Sequence, residues 1–213
     1  MRADMWDIET ALYSEGYSIV AGVDEAGRGP LAGDVYAAAV ILPRGTVIDG
    51  LDDSKKLTPR ARERLFDEII ELAEGYGIAS ASVAEIEQRN ILGATHLAMN
   101  RALDLLRQSP KITKAADTAK QRDFIALIDG NQVNGITHPC RAVIKGDSRS
   151  ANIAAASILA KVSRDRYMDA LALKYPGYGF ESNRGYGTAE HREAIKSHGA
   201  TPEHRSLFLR KLI

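Results

Sequence analysis

The sequence predicts an α/β protein in which helices flank a mixed sheet of five strands, followed by a helical C-terminal appendage. Five short apolar runs have the length and β-branched residues of buried strands, and helical patterns alternate with several of them. After residue 174 the chain has Gly-rich loops and short helical patterns but no sixth strand-like run. A chain of 213 residues, 45% of them hydrophobic, suits one globular domain with a small addition. We therefore assign residues 1–174 to the main domain and 175–213 to an appendage packed on it.

The five strands are predicted where residues such as Val, Ile, Ala and Phe follow one another between turn-forming residues. In chain order the predicted strands cover 18–23, 35–42, 77–83, 124–128 and 141–145. The first two, SIVAGV and VYAAAVIL, are separated by DEAGRGPLAGD, whose Gly and Pro residues predict a long loop.

Two helices are predicted in the first half of the chain. Thr58 is a good N-cap residue and Pro59 suits the first helical position, so a helix should begin here and continue to about Glu74. Apolar residues at helical spacing predict a second helix over 84–108. Gly93 should weaken its middle, because glycine costs about 1 kcal/mol relative to alanine inside a helix.

The second half of the chain begins with a polar segment and ends in short helices. Residues 109–122 have few large apolar side chains and predict an exposed loop or insertion. Within it we expect 113–122 (TKAADTAKQR) to be mobile and dispensable. A long helix should begin near Ser150, and its small residues at 154–157 (AAAS) suit close packing on the sheet. Two short helices should follow the Gly- and Pro-rich segment 176–188.

Composition excludes some classes of protein. The single cysteine, Cys140, excludes an internal disulfide framework and a zinc site of several thiolates. No apolar run approaches the roughly 18 residues that span a bilayer. The acidic N-terminus also lacks the apolar stretch of a signal peptide, so we expect a cytoplasmic protein without membrane contact.

The net charge is zero, but the charges are unevenly distributed. Residues 141–213 carry 13 Lys and Arg against 7 Asp and Glu, whereas residues 1–140 carry 15 against 21. Such asymmetry favours a surface that faces nucleic acid. The alternative is an ordinary solvated basic helix face, and the charge pattern alone does not choose between the two.

Three acidic residues stand where predicted strands end. Asp24 and Glu25 follow the first strand, and Asp129 follows the fourth. If these strands are parallel neighbours, their carboxyl ends bring the three carboxylates together at one edge of the sheet. Like charges that close repel unless a cation lies among them, and carboxylate oxygens suit Mg²⁺ or Mn²⁺. The alternative is that each acid starts a turn, as Asp before Gly often does.

Six motifs occur along the chain, at 24–33 (DEAGRGPLAG), 53–57 (DSKKL), 128–131 (IDGN), 145–147 (KGD), 153–165 (IAAASILAKVSRD) and 185–188 (GYGT). In order and spacing they resemble the bacterial ribonuclease HII family, or type 2 ribonuclease H, from about Ser18 to Phe208. The resemblance implies a ribonuclease H-like fold. It also implies an endonuclease that cuts the RNA strand of RNA/DNA hybrids, or cuts 5′ of single ribonucleotides in duplex DNA, and leaves 5′-phosphate and 3′-hydroxyl ends.

The resemblance further implies a catalytic metal site for Mn²⁺ or Mg²⁺, formed by the four carboxylates of Asp24, Glu25, Asp129 and Asp147. Two divalent ions about 3.5–4 Å apart can stabilise both the attacking and the leaving oxygen of a phosphodiester displacement. A capping role at the helix that begins near Ser150 is the alternative for Asp147. Asp165 is expected to lie outside this site, in an exposed ion pair beside Arg164 and Arg166.

The same resemblance implies contacts with substrate by Gly27, Arg28, Gly29, Ser54, Lys55 and Tyr186. The backbone of the Gly-Arg-Gly segment would lie against the 2′-hydroxyl of the scissile ribonucleotide, and the tyrosine would stack near the RNA–DNA junction. The serine and lysine would bind the phosphate backbone without reading bases. Each feature also has a plain explanation: a turn that needs positive φ, a packed loop aromatic and a charged loop.

The remaining predictions concern histidines and partners. The five histidines show no close-spaced pair in the sequence and should be surface or packing residues: His96, His138, His191, His198 and His204. We expect a monomer that binds nucleic acid duplexes. The tail 207–213 (LFLRKLI) could dock on a replication clamp, but it lacks the glutamine of such motifs, so packing is favoured. The rival functions are another nuclease or resolvase on this fold, and a non-catalytic hybrid-binding module, which would not need four acids.

Overall fold

The structure, a computed structural model, describes residues 5–52, 54–110, 112 and 124–210. The predicted insertion at 113–122 lies outside these residues. Five strands are present in the described chain: β1 (Ile19–Ala26), β2 (Val35–Ile41), β3 (Gly75–Ala81), β4 (Phe124–Asp129) and β5 (Cys140–Val143). They agree with the five predicted strands to within about two or three residues at each end.

The strands form one mixed sheet in the order β3-β2-β1-β4-β5. β1 pairs antiparallel with β2, and β2 pairs antiparallel with β3. On its other side β1 pairs parallel with β4, which pairs parallel with β5. Val23 is the register partner of Ile128, so Asp24 and Asp129 come next along the two parallel strands. Asp129 is the last residue of β4, whereas Asp24 and Glu25, which were predicted to follow the first strand, lie inside β1 and still pair with β2. The predicted mixed five-stranded sheet is confirmed.

Seven α-helices lie in the described residues: α1 (Asp7–Ser14), α2 (Pro59–Leu72), α3 (Val83–Arg107), α4 (Ala151–Lys174), α5 (Phe180–Asn183), α6 (Ala189–His198) and α7 (Ser206–Leu209). Short 3-10 turns cover Ser54–Lys56 and Gly146–Ser148. Among the residues described, no helix has the length and apolar character needed to cross a membrane.

The predicted helix starts after Thr58 and near Ser150 are confirmed. The Thr58 hydroxyl accepts the main-chain N–H of Ala61 at 3.2 Å, and Pro59 occupies the first position of α2. The Ser150 hydroxyl accepts the N–H of Ile153 at 3.2 Å at the start of α4. Such caps satisfy N–H groups that have no partner inside the helix.

Several predicted boundaries were wrong, and local side-chain chemistry explains the shifts. The third strand ends at Ala81, because Ser82 and Glu85 form a capping box that starts α3. The break in α3 lies at Asn90, whose φ is 59°, and Gly93 is an ordinary helical residue. The Asn90 side chain accepts the N–H groups of Leu92 and Gly93, so it caps the second part of the helix.

Three further elements differed from the prediction. The fifth strand ends at Val143, because Lys145 adopts a left-handed conformation with φ 56°. α1 had no predicted counterpart, and it is held by Glu9, whose carboxylate accepts the Ser150 hydroxyl at 2.6 Å. α5 is a single turn inside the segment predicted to be loop, whereas α6 and α7 are the two predicted short helices.

α4 packs very closely on the sheet. The AAAS residues at 154–157 are all buried, as predicted. A Cβ added to Gly22 in β1 would lie 2.1 Å from the main-chain carbon of Asn152, so only glycine permits this approach. The Asn152 side chain accepts the N–H of Leu42 and donates to the carbonyl of Val20, which joins the helix start to two strands. α3 covers the opposite face of the sheet.

The C-terminal helices share an apolar cluster with the rest of the domain. Met168 and Leu171 of α4 contact the buried Phe180, Ile195 and Leu209 of the last three helices. Phe208 packs against the apolar cluster beneath α3. The first residues of the tail therefore pack on the domain as favoured, while 211–213 lie outside the described residues. The division of the domain at residue 174 stays a prediction.

Candidate active site

The candidate site begins where the pairing of β1 with β4 stops, just after Val23 and Ile128. Asp24 is almost fully buried, with 5% of its surface exposed, and its Oδ1 accepts the N–H of Glu25 at 2.7 Å. Asp129 Oδ1 accepts the N–H of Gly146 at 2.6 Å, which ties the end of β4 to the turn that carries Asp147. The topology thus collects acidic side chains from three separate parts of the sequence.

The site concentrates negative charge in a desolvated place. Burial raises the pKa of the Asp24 carboxyl well above its ordinary value, and the charges of Glu25 and Asp129 raise it further. Burial also raises the pKa of Glu25, while the Arg28 guanidinium, 3.2 Å from Glu25 Oε1, partly opposes that rise. Glu25 and Asp129 are therefore close enough to Asp24 to disfavour its ionisation.

Asp147 lies beside this cluster, on the 3-10 turn that precedes α4. It is 7% exposed, and its Oδ2 lies 3.7 Å from Lys55 Nζ. Because the Ser150 side chain caps α4, the structure gives no support to the alternative that Asp147 is the cap.

Asp165 pairs with basic residues other than its sequence neighbours, so its predicted exposed pairing with the adjacent arginines was wrong. Its side chain is only 15% exposed and contacts Lys161 Nζ at 2.5 Å. Arg62 and Arg184 each approach it to 3.9 Å. On α4, residues 161 and 165 lie one turn apart on the same face, which directs Asp165 to Lys161 rather than to its sequence neighbours.

The donor chemistry of the four carboxylates fits a hard divalent cation. Within the residues that the structure describes, no three His, Cys, Asp or Glu side chains already form a group able to hold a metal ion. Glu25 and Asp147 are turned to Arg28 and Lys55, and Asp129 is turned to a main-chain amide. A divalent cation would relieve the mutual repulsion around the buried Asp24, and oxygen-rich sites of this kind are what Mg²⁺ and Mn²⁺ prefer.

A cavity of about 270 Å³ opens above the carboxylates. Nine of the ten predicted site residues line it: Asp24, Glu25, Gly27, Arg28, Gly29, Ser54, Lys55, Asp129 and Tyr186. The tenth, Asp147, adjoins it through Lys55. Tyr186 is 48% exposed, and a Cβ added to Gly29 would lie 3.5 Å from its ring. The glycine segment and the tyrosine therefore meet as two parts of one wall.

Comparison with known proteins identifies the family, because the family model of ribonuclease HII matches residues 21–211. The chain belongs to the ribonuclease HII family. It is 52% identical to the ribonuclease HII of Ruegeria pomeroyi over 204 residues, which cover 95% of this chain and 81% of that protein. It is 46% identical to the ribonuclease HII of Caldicellulosiruptor bescii over 208 residues, which cover 98% of this chain and 95% of that protein.

Solved structures share the fold. The ribonuclease H2 of Pyrococcus horikoshii has a TM-score of 0.66 at 26% identity, covering 91% of this chain and 96% of that chain. The ribonuclease HII in the PCNA complex from Archaeoglobus fulgidus also reaches 0.66, at 24% identity, with 92% and 95% covered. Bst ribonuclease HIII in complex with Mn²⁺ reaches 0.61 at 20% identity, with 86% and 64% covered. The ribonuclease H-like fold is confirmed, and the family assignment makes this chain an endoribonuclease that acts on RNA/DNA hybrids.

Two basic residues at the candidate site were not predicted from the sequence. Lys161 and Arg164, on α4, also line the cavity. Arg164 is buried, and it donates hydrogen bonds to the carbonyls of Asp34, Ala32 and Arg184 at 3.0–3.2 Å. The signal available in the sequence was their spacing. Lys161 and Arg164 are three residues apart, so both lie on one face of α4.

The glycine segment needs its unusual backbone. Gly27 has a φ of +98°, and a Cβ there would lie 2.0 Å from Arg164 Nε. Both the positive φ and the lack of space require glycine at this position. The Gly-Arg-Gly segment can therefore be both a turn that needs positive φ and a place where substrate is contacted, since the same turn lines the cavity.

Two of the histidines form a buried pair, which the sequence spacing did not indicate. His191 and His204 are 0% and 5% exposed, and their Nε2 atoms are 3.1 Å apart. They are packing residues, as predicted, but they act together. α6 and the turn before α7 bring them into contact across 13 residues of sequence.

Proposed function

We propose that this ribonuclease HII cuts the RNA strand of RNA/DNA hybrids and cuts 5′ of single ribonucleotides embedded in duplex DNA, by two-metal-ion phosphodiester hydrolysis. The observation that carries the proposal is the cavity in which buried strand-end carboxylates lie beside a Gly-Arg-Gly backbone and an exposed tyrosine. Acids alone would suit many nucleases. A close-approach backbone next to an aromatic face suits an enzyme that must distinguish a ribonucleotide.

Asp24, Glu25, Asp129 and Asp147 would hold Mn²⁺ or Mg²⁺, which would stabilise the attacking and leaving oxygens and leave 5′-phosphate and 3′-hydroxyl ends. The Mn²⁺ complex of the structurally similar Bst ribonuclease HIII supports a divalent-metal enzyme. Within the chain, Asp24 supplies a rigid, desolvated carboxylate, because its own oxygen is fixed by the N–H of Glu25. Arg28 partly opposes the rise that burial causes in the pKa of Glu25, and Lys55 Nζ lies 3.7 Å from the Asp147 carboxylate.

Residues that line the cavity would recognise the ribose of the substrate. The main chain of Gly27, Arg28 and Gly29 can approach a 2′-hydroxyl closely, because no side chain stands in the way at the two glycines. Tyr186, half exposed at the same wall, would stack on the nucleotide next to the cleavage site.

The basic residues around the cavity would position the phosphates. Lys55 is exposed on the 3-10 turn that also carries Ser54, and Lys161 lines the same cavity. Contacts of this kind fix the register of the duplex without reading bases, so cleavage should show little sequence preference and strong salt dependence.

For partners, we propose a monomer acting on nucleic acid duplexes. The PCNA complex of the Archaeoglobus fulgidus protein raises clamp contact as a second possibility for the tail. Leu209 is buried and Phe208 packs on the domain, so a clamp contact through LFLRKLI would have to release both. We therefore favour packing for these residues.

The test compares three duplexes of one sequence: with a single ribonucleotide, with an all-RNA strand and with DNA only, each with Mn²⁺ and with Mg²⁺. Cleavage 5′ of the single ribonucleotide and within the RNA strand, but not of DNA, is the expected result. Cleavage of the all-DNA duplex would support the rival nuclease or resolvase. Tight hybrid binding without cleavage under either metal would support the non-catalytic module.

Tyr186→Ala tests whether Tyr186 helps to recognise the ribonucleotide. Stacking contributes on the order of 1–3 kcal/mol per base, so kcat/KM at the single ribonucleotide should fall by roughly ten-fold to a hundred-fold with folding preserved. Tyr186→Phe should retain most activity, and Tyr76→Ala, at an exposed tyrosine on β3, is the matched control. Equal losses on both RNA-containing duplexes together with lowered thermal stability would indicate a packing role instead.

A further inference from the structure

Arg205 holds the loop between β1 and β2 from inside the protein. It is fully buried, and its guanidinium donates five hydrogen bonds to main-chain carbonyl oxygens. They belong to Gly27 (2.7 Å), Arg28 (3.2 Å), Pro30 (2.9 Å) and Gly33 (2.8 and 2.5 Å). Only a planar side chain with five N–H donors can bind so many carbonyls at once. The loop that lines the cavity is therefore shaped around one side chain from the C-terminal segment.

These hydrogen bonds determine which way the peptide groups face. In a trans peptide the C=O and N–H bonds point in opposite directions, and no cis peptide occurs in the described residues. The carbonyls of Gly27 and Arg28 point at Arg205. The N–H groups of Arg28 and Gly29 consequently point away from it, and both residues line the cavity.

The peptide between Pro30 and Leu31 shows the same arrangement, with its C=O and N–H groups bonded on opposite sides. The carbonyl of Pro30 accepts from Arg205, whereas the N–H of Leu31 donates to the carbonyl of Gly185 at 2.8 Å on the other side. Gly185 immediately precedes Tyr186. The loop held by Arg205 thus also contacts the segment that carries the aromatic part of the wall.

His204, next to Arg205 in the chain, reaches Tyr186 through His191. The N–H of Thr201 donates to His204 Nδ1 at 2.9 Å, so a neutral His204 carries its proton on Nε2. This proton is donated to His191 Nε2 at 3.1 Å. His191 then carries its proton on Nδ1, 2.9 Å from the carbonyl of Tyr186. Burial lowers the pKa of both imidazoles, which keeps them neutral and the chain of hydrogen bonds intact.

The segment that carries both residues is itself fixed to the loop. The N–H of Gly33 donates to the carbonyl of Glu203 at 2.8 Å, and the N–H of Arg205 donates to the carbonyl of Leu31 at 2.7 Å. Ala32 and His204 form the antiparallel bridge between them. Main-chain hydrogen bonds therefore also join the His204–Arg205 pair to the loop.

We propose that His204 and Arg205 are positioning residues for ribonucleotide recognition. Arg205 turns the amides of Arg28 and Gly29 toward the substrate, and His204, through His191, holds the main chain of Tyr186 beside them. This inference rests on the proposed function, in which the Gly-Arg-Gly backbone and Tyr186 read the ribonucleotide. The two recognition elements, which lie far apart in sequence, thereby share one anchor.

The first experiment uses Arg205→Lys, which keeps the positive charge but removes the planar guanidinium and its five N–H donors. Arg166→Lys, at an arginine that pairs with Glu63 on the outer side of α4, is the matched control. In EDTA, affinity is measured for a duplex with one ribonucleotide and for the same duplex in DNA only. We expect the preference for the ribonucleotide to fall about ten-fold in Arg205→Lys, with DNA affinity unchanged and the control like wild type.

Cleavage kinetics are measured well below the unfolding midpoint of each variant, so that a stability loss alone would leave them unchanged. A folded Arg205→Lys protein that keeps the wild-type preference and kcat/KM would overturn the role of Arg205. If wild type itself neither cleaves at nor prefers the ribonucleotide, the proposed function fails rather than this inference.

The second experiment tests whether the hydrogen bonds from His204 through His191 position the main chain of Tyr186. It also tests the inference if Arg205→Lys does not fold. His191→Phe keeps an aromatic ring against Phe180, whose centroid lies 5.3 Å from that of His191 in the wild type. It removes one of the two donors to the Tyr186 carbonyl, because the N–H of Thr188 also donates there at 2.8 Å. His191→Asn restores an N–H near the position of Nδ1. We expect about ten-fold lower kcat/KM at a single ribonucleotide for the phenylalanine variant and recovery of most activity by asparagine. Wild-type activity in folded His191→Phe, or an equal loss in both variants, would refute the relay.

Discussion

Mild acid should destabilise this protein through the buried His191–His204 pair. Burial, together with the charge that His191 would carry, lowers the pKa of His204 from its ordinary 6.5 to about 4. Between these two values the unfolded chain binds a proton that folded His204 does not. Stability is therefore fully present above about pH 6.5 and falls as the pH drops toward 4.

The size of the effect follows from the same two values. At 1.36 kcal/mol per pKa unit, the lowered pKa costs about 2 kcal/mol of folding free energy at pH 5 relative to pH 7, and about 3 kcal/mol by pH 4. For a protein of this length, 2 kcal/mol lowers the melting temperature by about 4–8 °C. Protonation of His204 places the added proton on Nδ1, so the protein would also lose the hydrogen bond from the N–H of Thr201 to that atom.

The assay is urea unfolding of wild type and His204→Asn at pH 7 and pH 5. Asparagine can still accept the N–H of Thr201, so the turn is kept while the titrating group is removed. Other groups that titrate in this range cancel in the comparison. The variant should be less stable at pH 7, and its deficit should shrink by about 2 kcal/mol at pH 5. The same deficit at both pH values would refute a buried neutral His204.

Three further predictions concern the carboxylates and the helix–sheet contact. Asp24→Asn should raise the melting temperature in EDTA, because it removes a buried charge that Glu25 and Asp129 repel, and should abolish cleavage; a lowered midpoint would contradict the repulsion. Asp147→Asn should nearly abolish metal-dependent cleavage and leave the fold intact. Asp165→Asn should mainly lower the free energy of unfolding, by about 3 kcal/mol, because Lys161 loses its 2.5 Å partner. The reverse result would identify Asp165 as the fourth metal-site carboxylate. Gly22→Ala should cost about 3 kcal/mol or more in urea unfolding, because its Cβ would lie 2.1 Å from the Asn152 main chain; a loss below about 1 kcal/mol would mean that α4 can move away.

Much of the fold was predictable because its signals are local. The five strands are apolar runs bounded by turn residues, and the starts of α2 and α4 are marked by Thr58 and Ser150. Boundaries failed where a side chain overrides the apolar pattern. The Ser82–Glu85 capping box ended β3 early, and Asn90 instead of Gly93 broke α3.

The candidate site was predictable only in part. Asp24, Glu25 and Asp129 could be placed together because strand-end acids converge if their strands are parallel neighbours. Asp147 and the substrate-contact residues came from family resemblance rather than from the residues themselves. Lys161 and Arg164 were missed because their spacing places them on one helix face but does not show that a cavity opens above that face.

The sequence alone determined the five strands, the longer helices, the acids near the strand ends and, through its motifs, the family, since each depends on residues close together in the chain. The tertiary structure decided which distant groups meet. Arg205 lies more than 170 positions from the loop carbonyls that it binds, and His204 contacts His191 through a turn that no periodicity marks. Buried polar groups must find partners wherever the fold places them, and a partner chosen by three-dimensional proximity leaves no pattern in the local sequence.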